Sequence, residues 1–207
     1  MKTTRRLFLI LAAALALTGF GNTKLVFTWT NPQNKTTHFK NVMVVGINGK
    51  ASVRAQFEDD LCAAIVRPAL TCTPSYSLIP RPDGTPLDMD QLRDVVTGQK
   101  IDAIIASRLV KFIKKITYET GAAYPLYPAY STFYGYYGAI APVVYAPDYL
   151  SVERTAQVET NFYSTEAPDG TLVWTATSDT VNPHSPLKAV HSVSSLIAQE
   201  LEKQKII

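Results

Sequence analysis

The sequence predicts an α/β domain of the α+β kind: a mixed sheet of about five strands with helices packed against it, behind an amino-terminal leader. Three observations carry this. Val42-Met43-Val44-Val45-Gly46-Ile47 is a nearly unbroken apolar run of strand length, as in a strand buried on both faces. Helical spacing follows it, which implies a right-handed crossover to a parallel neighbour. Pro168-Asp169-Gly170 then separates two alternating segments, the mark of an antiparallel hairpin. Parallel and antiparallel pairs in one chain make the sheet mixed, and helices must cover its apolar faces.

The first strand is expected over Lys24 to Thr30, with Leu25, Phe27 and Trp29 on one face and Asn31-Pro32 as its stop. After Val42–Ile47, Ser52 is positioned to cap a helix whose stripe is Val53, Phe57, Leu61, Ala64 and Ile65, with Glu58, Asp59 and Asp60 clear of it. Pro68 ends that helix, and a loop with Pro74, Pro80, Pro82 and Pro86 leads to Asp88. Asp88 can cap a shorter helix ending near Gly98. A long strand begins at Asp102 and runs through Val110, Phe112 and Ile116 to Tyr118. Ser151 to Tyr163 alternates, with Ala156, Val158, Thr160 and Phe162 on one face and Gln157, Glu159 and Asn161 on the other. Leu172 to Thr180, carrying Trp174, is its hairpin partner. The final helix is capped by Ser185 with Pro186 at its first position, and is apolar at Leu187, Val190, Val193, Ile197 and Leu201.

Ahead of this domain, Lys2, Arg5 and Arg6 lead into the apolar run Leu7 to Leu17, followed by small residues. The run is about 11 residues, short of the roughly 20 that span a bilayer, which is the pattern of an export signal. Residues 1–19 are read as the signal and 24–207 as one domain, with a Tyr/Pro-rich insertion at 119–150. Leu17-Thr18-Gly19-Phe20 resembles a lipobox with Phe at the acceptor position, which has no thiol to acylate. Cleavage can instead follow Ala14-Leu15-Ala16, or the signal can stay as a tether; Thr4 to Leu9 also resembles a twin-arginine signal.

Removing Lys2, Arg5 and Arg6 from the 20 Lys+Arg leaves 17 against 17 Asp+Glu, so the basic excess belongs to the leader and argues against a nucleic-acid partner. Lys111, Lys114 and Lys115 read as a solvated sheet edge. The two cysteines, Cys62 and Cys72, can close a short loop in an oxidising compartment or stay free. They lack the Cys-x-x-Cys spacing of a redox or zinc site.

Catalytic patterns fail in turn. Ser185-Pro186-Leu187-Lys188 has the Ser-x-x-Lys spacing of penicillin-recognising enzymes without their companion motifs, and a helix cap explains it. His38, His184 and His191 are not spaced as metal ligands, and Glu153 and Glu159 are roughly 20 Å apart on a strand, too far for paired carboxylates. No catalytic residue, cofactor or metal is assigned.

Eight of the eleven tyrosines fall in one stretch: Tyr124, Tyr127, Tyr130, Tyr134, Tyr136, Tyr137, Tyr145 and Tyr149, interleaved with prolines and glycines. Such a composition argues against a regular buried element and for a hairpin tip with rigid amphipathic surface. Two readings stay open: a contact site for an envelope protein, peptidoglycan sugars or a lipid interface, and an insertion folded back over its own sheet.

Trp29-Thr30-Asn31-Pro32, the strand Val42 to Ile47, Arg54 with Phe57-Glu58, Pro74-Ser75-Tyr76, Asp102-Ala103, Val158-Glu159-Thr160-Asn161 and Leu172-Val173-Trp174 together resemble lipoproteins of Gram-negative bacteria that carry an uncharacterised domain. The order of elements is more distantly similar to domains of curli-secretion lipoproteins, peptidoglycan-synthase activators and the amino-terminal domain of the Tol translocation protein. The resemblance implies a fold and an address, periplasm or cell envelope, with action by binding other proteins. The expectation is a non-enzymatic interaction or assembly module with an envelope protein or peptidoglycan as partner. Membrane contact would come only through an uncleaved signal, or through a lipid anchor were position 20 Cys. The alternative is a cell-wall-acting enzyme or a small-ligand-binding periplasmic protein.

Overall fold

The computed structural model describes residues 23–33, 38–113, 131–145, 155–183 and 185–207, with side chains of 131–145 described as far as Ile140. The leader, Lys114, Lys115, Tyr124, Tyr127, Tyr130, Tyr149, Glu153 and His184 lie outside these residues.

Eleven elements follow one another: β1 (Thr23–Thr30), β2 (Asn41–Ile47), α1 (Ala51–Ile65), β3 (Thr71–Pro74), α2 (Ser75–Leu78), α3 (Met89–Gly98), β4 (Ala103–Ile113), α4 (Phe133–Tyr145), β5 (Thr155–Ser164), β6 (Thr171–Val181) and α5 (Pro186–Lys203). The strands form one mixed sheet in the order β1-β6-β5-β4-β2-β3. β2 lies parallel to both β3 and β4, and β4-β5, β5-β6 and β1-β6 are antiparallel. The α+β class and the mixed sheet are as the sequence predicts. The sixth strand, β3, sits in the stretch read as a proline-rich loop; four residues are too few to show a period.

Each sheet face has its own core. On one, α1 and α5 pack over Val42, Val44, Ile105, Phe162, Trp174 and Ala176 through Phe57, Leu61, Ile65, Val193, Ile197 and Leu201. On the other, Met43, Val45, Ile47, Ile104 and Tyr163 meet Leu87, Leu92, Phe133, Tyr136 and Ile140 from α3, α4 and the loop before α3. β2 is buried from Val42 to Ile47, as its unbroken apolar run requires.

The cap signals act where they were read. Asp88 accepts the Gln91 N–H at 2.8 Å, Ser185 accepts the Lys188 N–H at 3.2 Å with Pro186 at N1, and Gly170 takes φ +74° in the β5–β6 turn. Ser52, by contrast, lies inside α1: the N-cap is Lys50, and the Asp83 carboxylate, reaching over from the loop before α3, accepts the Ala51 N–H at 2.6 Å. A cap supplied from 32 residues away leaves no local trace.

Three sequence-based placements are corrected by tertiary contacts. The buried side of α1 is Arg54, Phe57, Glu58, Leu61, Cys62 and Ile65, so Glu58 belongs to the stripe and Ala64 does not. Leu187 on α5 is 47 % exposed, one turn too early to reach the sheet. Leu25, Phe27 and Trp29 do not share a face, because the β1–β6 register shifts between Leu25 and Phe27. One extra residue in a strand moves everything beyond it to the opposite face.

Candidate interaction surface

The bulge in β1 determines what the molecule shows to solvent. Leu25 stays opposite Ser178 and packs against the α1–α5 core. Past the bulge, Phe27 stands opposite Thr177 and Trp29 opposite Thr175, on the α3–α4 face. Val26, Phe27 and Trp29 are 45, 44 and 40 % exposed. An isolated exposed apolar residue is unremarkable, but three within four positions of the strand at the edge of the described sheet form a sticky row. The sequence reading missed it, because the alternation is real and only the bulge, invisible in composition or period, turns it outward.

The tyrosine cluster is divided by α4. Phe133, Tyr136, Tyr137 and Ile140 stand at helical spacing and are buried, while Gly135 and Gly138 fall on the outer side, where a missing side chain costs no packing. Thr132 caps the helix, its hydroxyl accepting the Gly135 N–H at 3.1 Å. Over Phe133–Tyr145 the segment is therefore a regular element folded onto its own sheet, against the expectation drawn from its Pro/Gly content. Tyr136 and Tyr137 are core residues and unavailable to a partner; Tyr134 is half-buried under the Arg93 guanidinium, 4.5 Å above its ring.

Two clusters of polar side chains among the described residues hold elements of the domain together. At the carboxyl end of β2, the buried Glu58 carboxylate accepts the Gly46 N–H at 2.8 Å, the Ser75 hydroxyl at 2.8 Å and the Tyr76 N–H at 2.9 Å. Arg54 donates to the carbonyls of Asn48, Arg81 and Pro82, and Arg81 donates to the Gly46 carbonyl and the Tyr137 hydroxyl. That hydroxyl also accepts the Leu87 N–H. Burial pushes the Glu58 carboxyl above its ordinary range, opposed by its three hydrogen bonds and the Arg81 charge. The group clamps a strand, two helices and a loop. An ion pair between the buried Arg108 and the half-buried Glu159, at 2.8 Å, lies across β4 and β5, with Asn161 donating to Glu159 at 2.8 Å. Burial, reinforced by the Glu159 charge, drives the neighbouring Tyr136 phenol well above its ordinary pKa, so it stays neutral.

A shallow groove among the described residues lies between α1 and α5, lined by Gln56, Asp60, Leu187, Lys188, His191 and Ser192. Asp60 accepts from Gln56 at 2.7 Å and lies 3.3 Å from His191 Nδ1, while the Ser192 hydroxyl donates to the Lys188 carbonyl at 3.1 Å. Ser192 is thus not aimed at the imidazole, and among the described residues no cluster of three or more His, Cys, Asp or Glu stands ready for a metal ion. Ser185 and Lys188 meet through a helix cap. Cys62 and Cys72 are joined, tying α1 to β3, so the open choice between a bridge and free thiols resolves to the bridge. Among the described residues no helix is long and apolar enough to cross a membrane.

No protein-family model matches the chain, and no curated protein matches it. Among solved structures it is similar to a PelC dodecamer from Paraburkholderia phytofirmans, with TM-score 0.44 and 12% identity over 86% of this chain and 95% of that one. A PelC variant from the same organism in another crystal form gives TM-score 0.41 and 15% identity over 87% and 95%. The hypothetical protein CT253 from Chlamydia trachomatis gives 0.39 and 8% over 82% and 98%.

Proposed function

We propose that this chain is an exported, non-enzymatic assembly protein of the bacterial cell envelope that engages a protein partner through β1. The exposed row Val26, Phe27 and Trp29 on the open edge is the observation that carries this reading. The leader pattern from Lys2 to Leu17 supports export, as does the Cys62–Cys72 bridge, which persists in an oxidising compartment. The resemblance of the quoted motifs to Gram-negative lipoproteins supports the envelope address. The engagement of Glu58, Arg54, Arg81, Arg108 and Glu159 in structural contacts supports binding rather than catalysis.

Crosslinking capture from cell envelopes tests this, comparing the intact chain with Phe27→Ser/Trp29→Ser and with a variant changing Tyr124, Tyr127, Tyr130 and Tyr149 to serine. Tyr136 and Tyr137 are left alone because they hold the core. Loss of a specific protein partner in the β1 variant supports the reading. Loss only in the tyrosine variant refutes β1 as the contact and moves it to that segment. Absence of any protein partner, a second copy of this chain included, refutes the assembly role.

A further inference from the structure

The two edges of the sheet are built differently. β3 is four residues long, ends in Pro74, which has no N–H to donate, and is fastened to α1 through Cys72. β1 is eight residues long, with Lys24 its one charge. Short strands, proline and charge are the usual guards against edge-to-edge pairing, and β1 has little of any of them.

The register shows which part of β1 is open. The Asn31 N–H donates to the Val173 carbonyl at 2.8 Å, and Trp29 and Phe27 stand opposite Thr175 and Thr177. Hydrogen-bonded and non-hydrogen-bonded pairs alternate along an antiparallel ladder. Phe27, Trp29 and Asn31 therefore direct their backbone groups to β6, and Thr28 and Thr30 turn theirs away from the sheet.

We propose that the occupant of this edge is a second copy of the chain, its β1 paired antiparallel to the first about a two-fold axis through Thr28. This rests on the reading of β1 as the assembly surface and names its partner. Under that axis Thr28 exchanges both backbone hydrogen bonds with its counterpart. Phe27 then faces the counterpart of Trp29 at a non-hydrogen-bonded position, where side chains approach most closely. Symmetry repeats the pair, so four aromatic rings gather on one sheet face. An axis through Thr30 would set Thr28 against Pro32, which cannot donate, and Trp29 against Asn31; an axis through Val26 would fall on the bulge. Lys24 lies beyond the paired stretch. One surface that matches itself about a single residue is what an isologous contact requires.

The test is light scattering and sedimentation of the full chain across a concentration series, with the same series for Phe27→Ser/Trp29→Ser, and circular dichroism to establish that both are folded. The expected result is a concentration-dependent dimer whose dissociation constant weakens at least about thirtyfold in the variant. Thr28→Cys should form an intermolecular disulfide under mild oxidation, and Thr30→Cys, whose counterpart lies two positions off the axis, should not. A folded chain that stays monomeric, or a dimer indifferent to both the aromatic and the Thr28→Cys changes, overturns the proposal. A monomer that still loses a different envelope protein on Phe27→Ser/Trp29→Ser overturns the second copy and leaves the assembly reading standing.

Discussion

Replacing Glu58 tests the polar clamp at the end of β2 most directly. Glu58 is fully buried, and its two oxygens accept one hydroxyl and two backbone amides, at 2.8, 2.8 and 2.9 Å. Glu58→Ala strands two buried donors and one part-buried one, and leaves Arg81 without its neighbouring carboxylate. A stranded buried donor costs about 1–3 kcal/mol, and breaking a buried charge arrangement about 3–5 kcal/mol. Relief of the carboxylate's own desolvation offsets part of this, so the expected loss is about 3–4 kcal/mol. With a urea slope of about 2 kcal/mol/M, the midpoint should fall by about 1.5–2 M. Glu58→Gln keeps the oxygen that serves Gly46 and Ser75 but turns an NH2 towards the Tyr76 N–H, and should lose about 1–2 kcal/mol.

The pH dependence separates this account from simple loss of packing. Burial raises the folded-state pKa above the ordinary 4.5, so between those values the native protein holds a proton that the unfolded chain has released. The Glu58 contribution therefore favours the fold at acid pH, and declines as pH rises from about 4.5 through the folded pKa before levelling. Wild type minus Glu58→Gln in unfolding free energy should narrow with rising pH across that window. A difference that widens, or a Glu58→Ala variant within about 1 kcal/mol of wild type, would refute the clamp.

Gly46→Ala should destabilise by about 1–3 kcal/mol, because a Cβ there would stand 3.2 Å from Arg54 Cα in α1 and 3.4 Å from Glu58 Oε1, and helix backbone cannot yield; thermal unfolding checks it. Tyr137→Phe keeps the ring and removes the hydroxyl that serves Leu87 and Arg81, and should lose about 1–3 kcal/mol in chemical denaturation, whereas an unchanged midpoint would mean α4 is not docked as described. Cys62→Ser/Cys72→Ser opens a loop of sequence separation 10 and should lose about 3 kcal/mol, read as the midpoint shift between oxidised wild type and variant.

What the sequence disclosed follows from the range over which each signal acts. Asp88, Ser185-Pro186 and Gly170 work within three residues of themselves, and they appear where their neighbours placed them. The run Val42 to Ile47 carries its burial in its own composition. Features set by distant partners stayed hidden: Glu58 inside the core, the Asp83 cap on α1, and the bulge that turns Phe27 and Trp29 outward. The α4 helix is a different case. Phe133, Tyr136, Tyr137 and Ile140 stand at helical spacing in plain view, but glycines and prolines between them masked the period. The exposed row on β1 was legible as apolar alternation, and it was set on one face with Leu25 because a one-residue bulge leaves no mark in the period.

The layering of the two cores also bears on when the chain becomes a folded object. Trp174, Phe162 and Ala176 are sealed by α5, which comes after every strand in chain order, and α5 reaches back to the first strand, where the Thr30 hydroxyl donates to Gln204 at 2.7 Å. A nascent chain emerging from its amino end can assemble β2, α1, β3, α3 and β4, yet the core that α1 begins to cover stays open on its α5 side until the carboxyl-terminal helix arrives. Closing that core is a step that synthesis itself postpones.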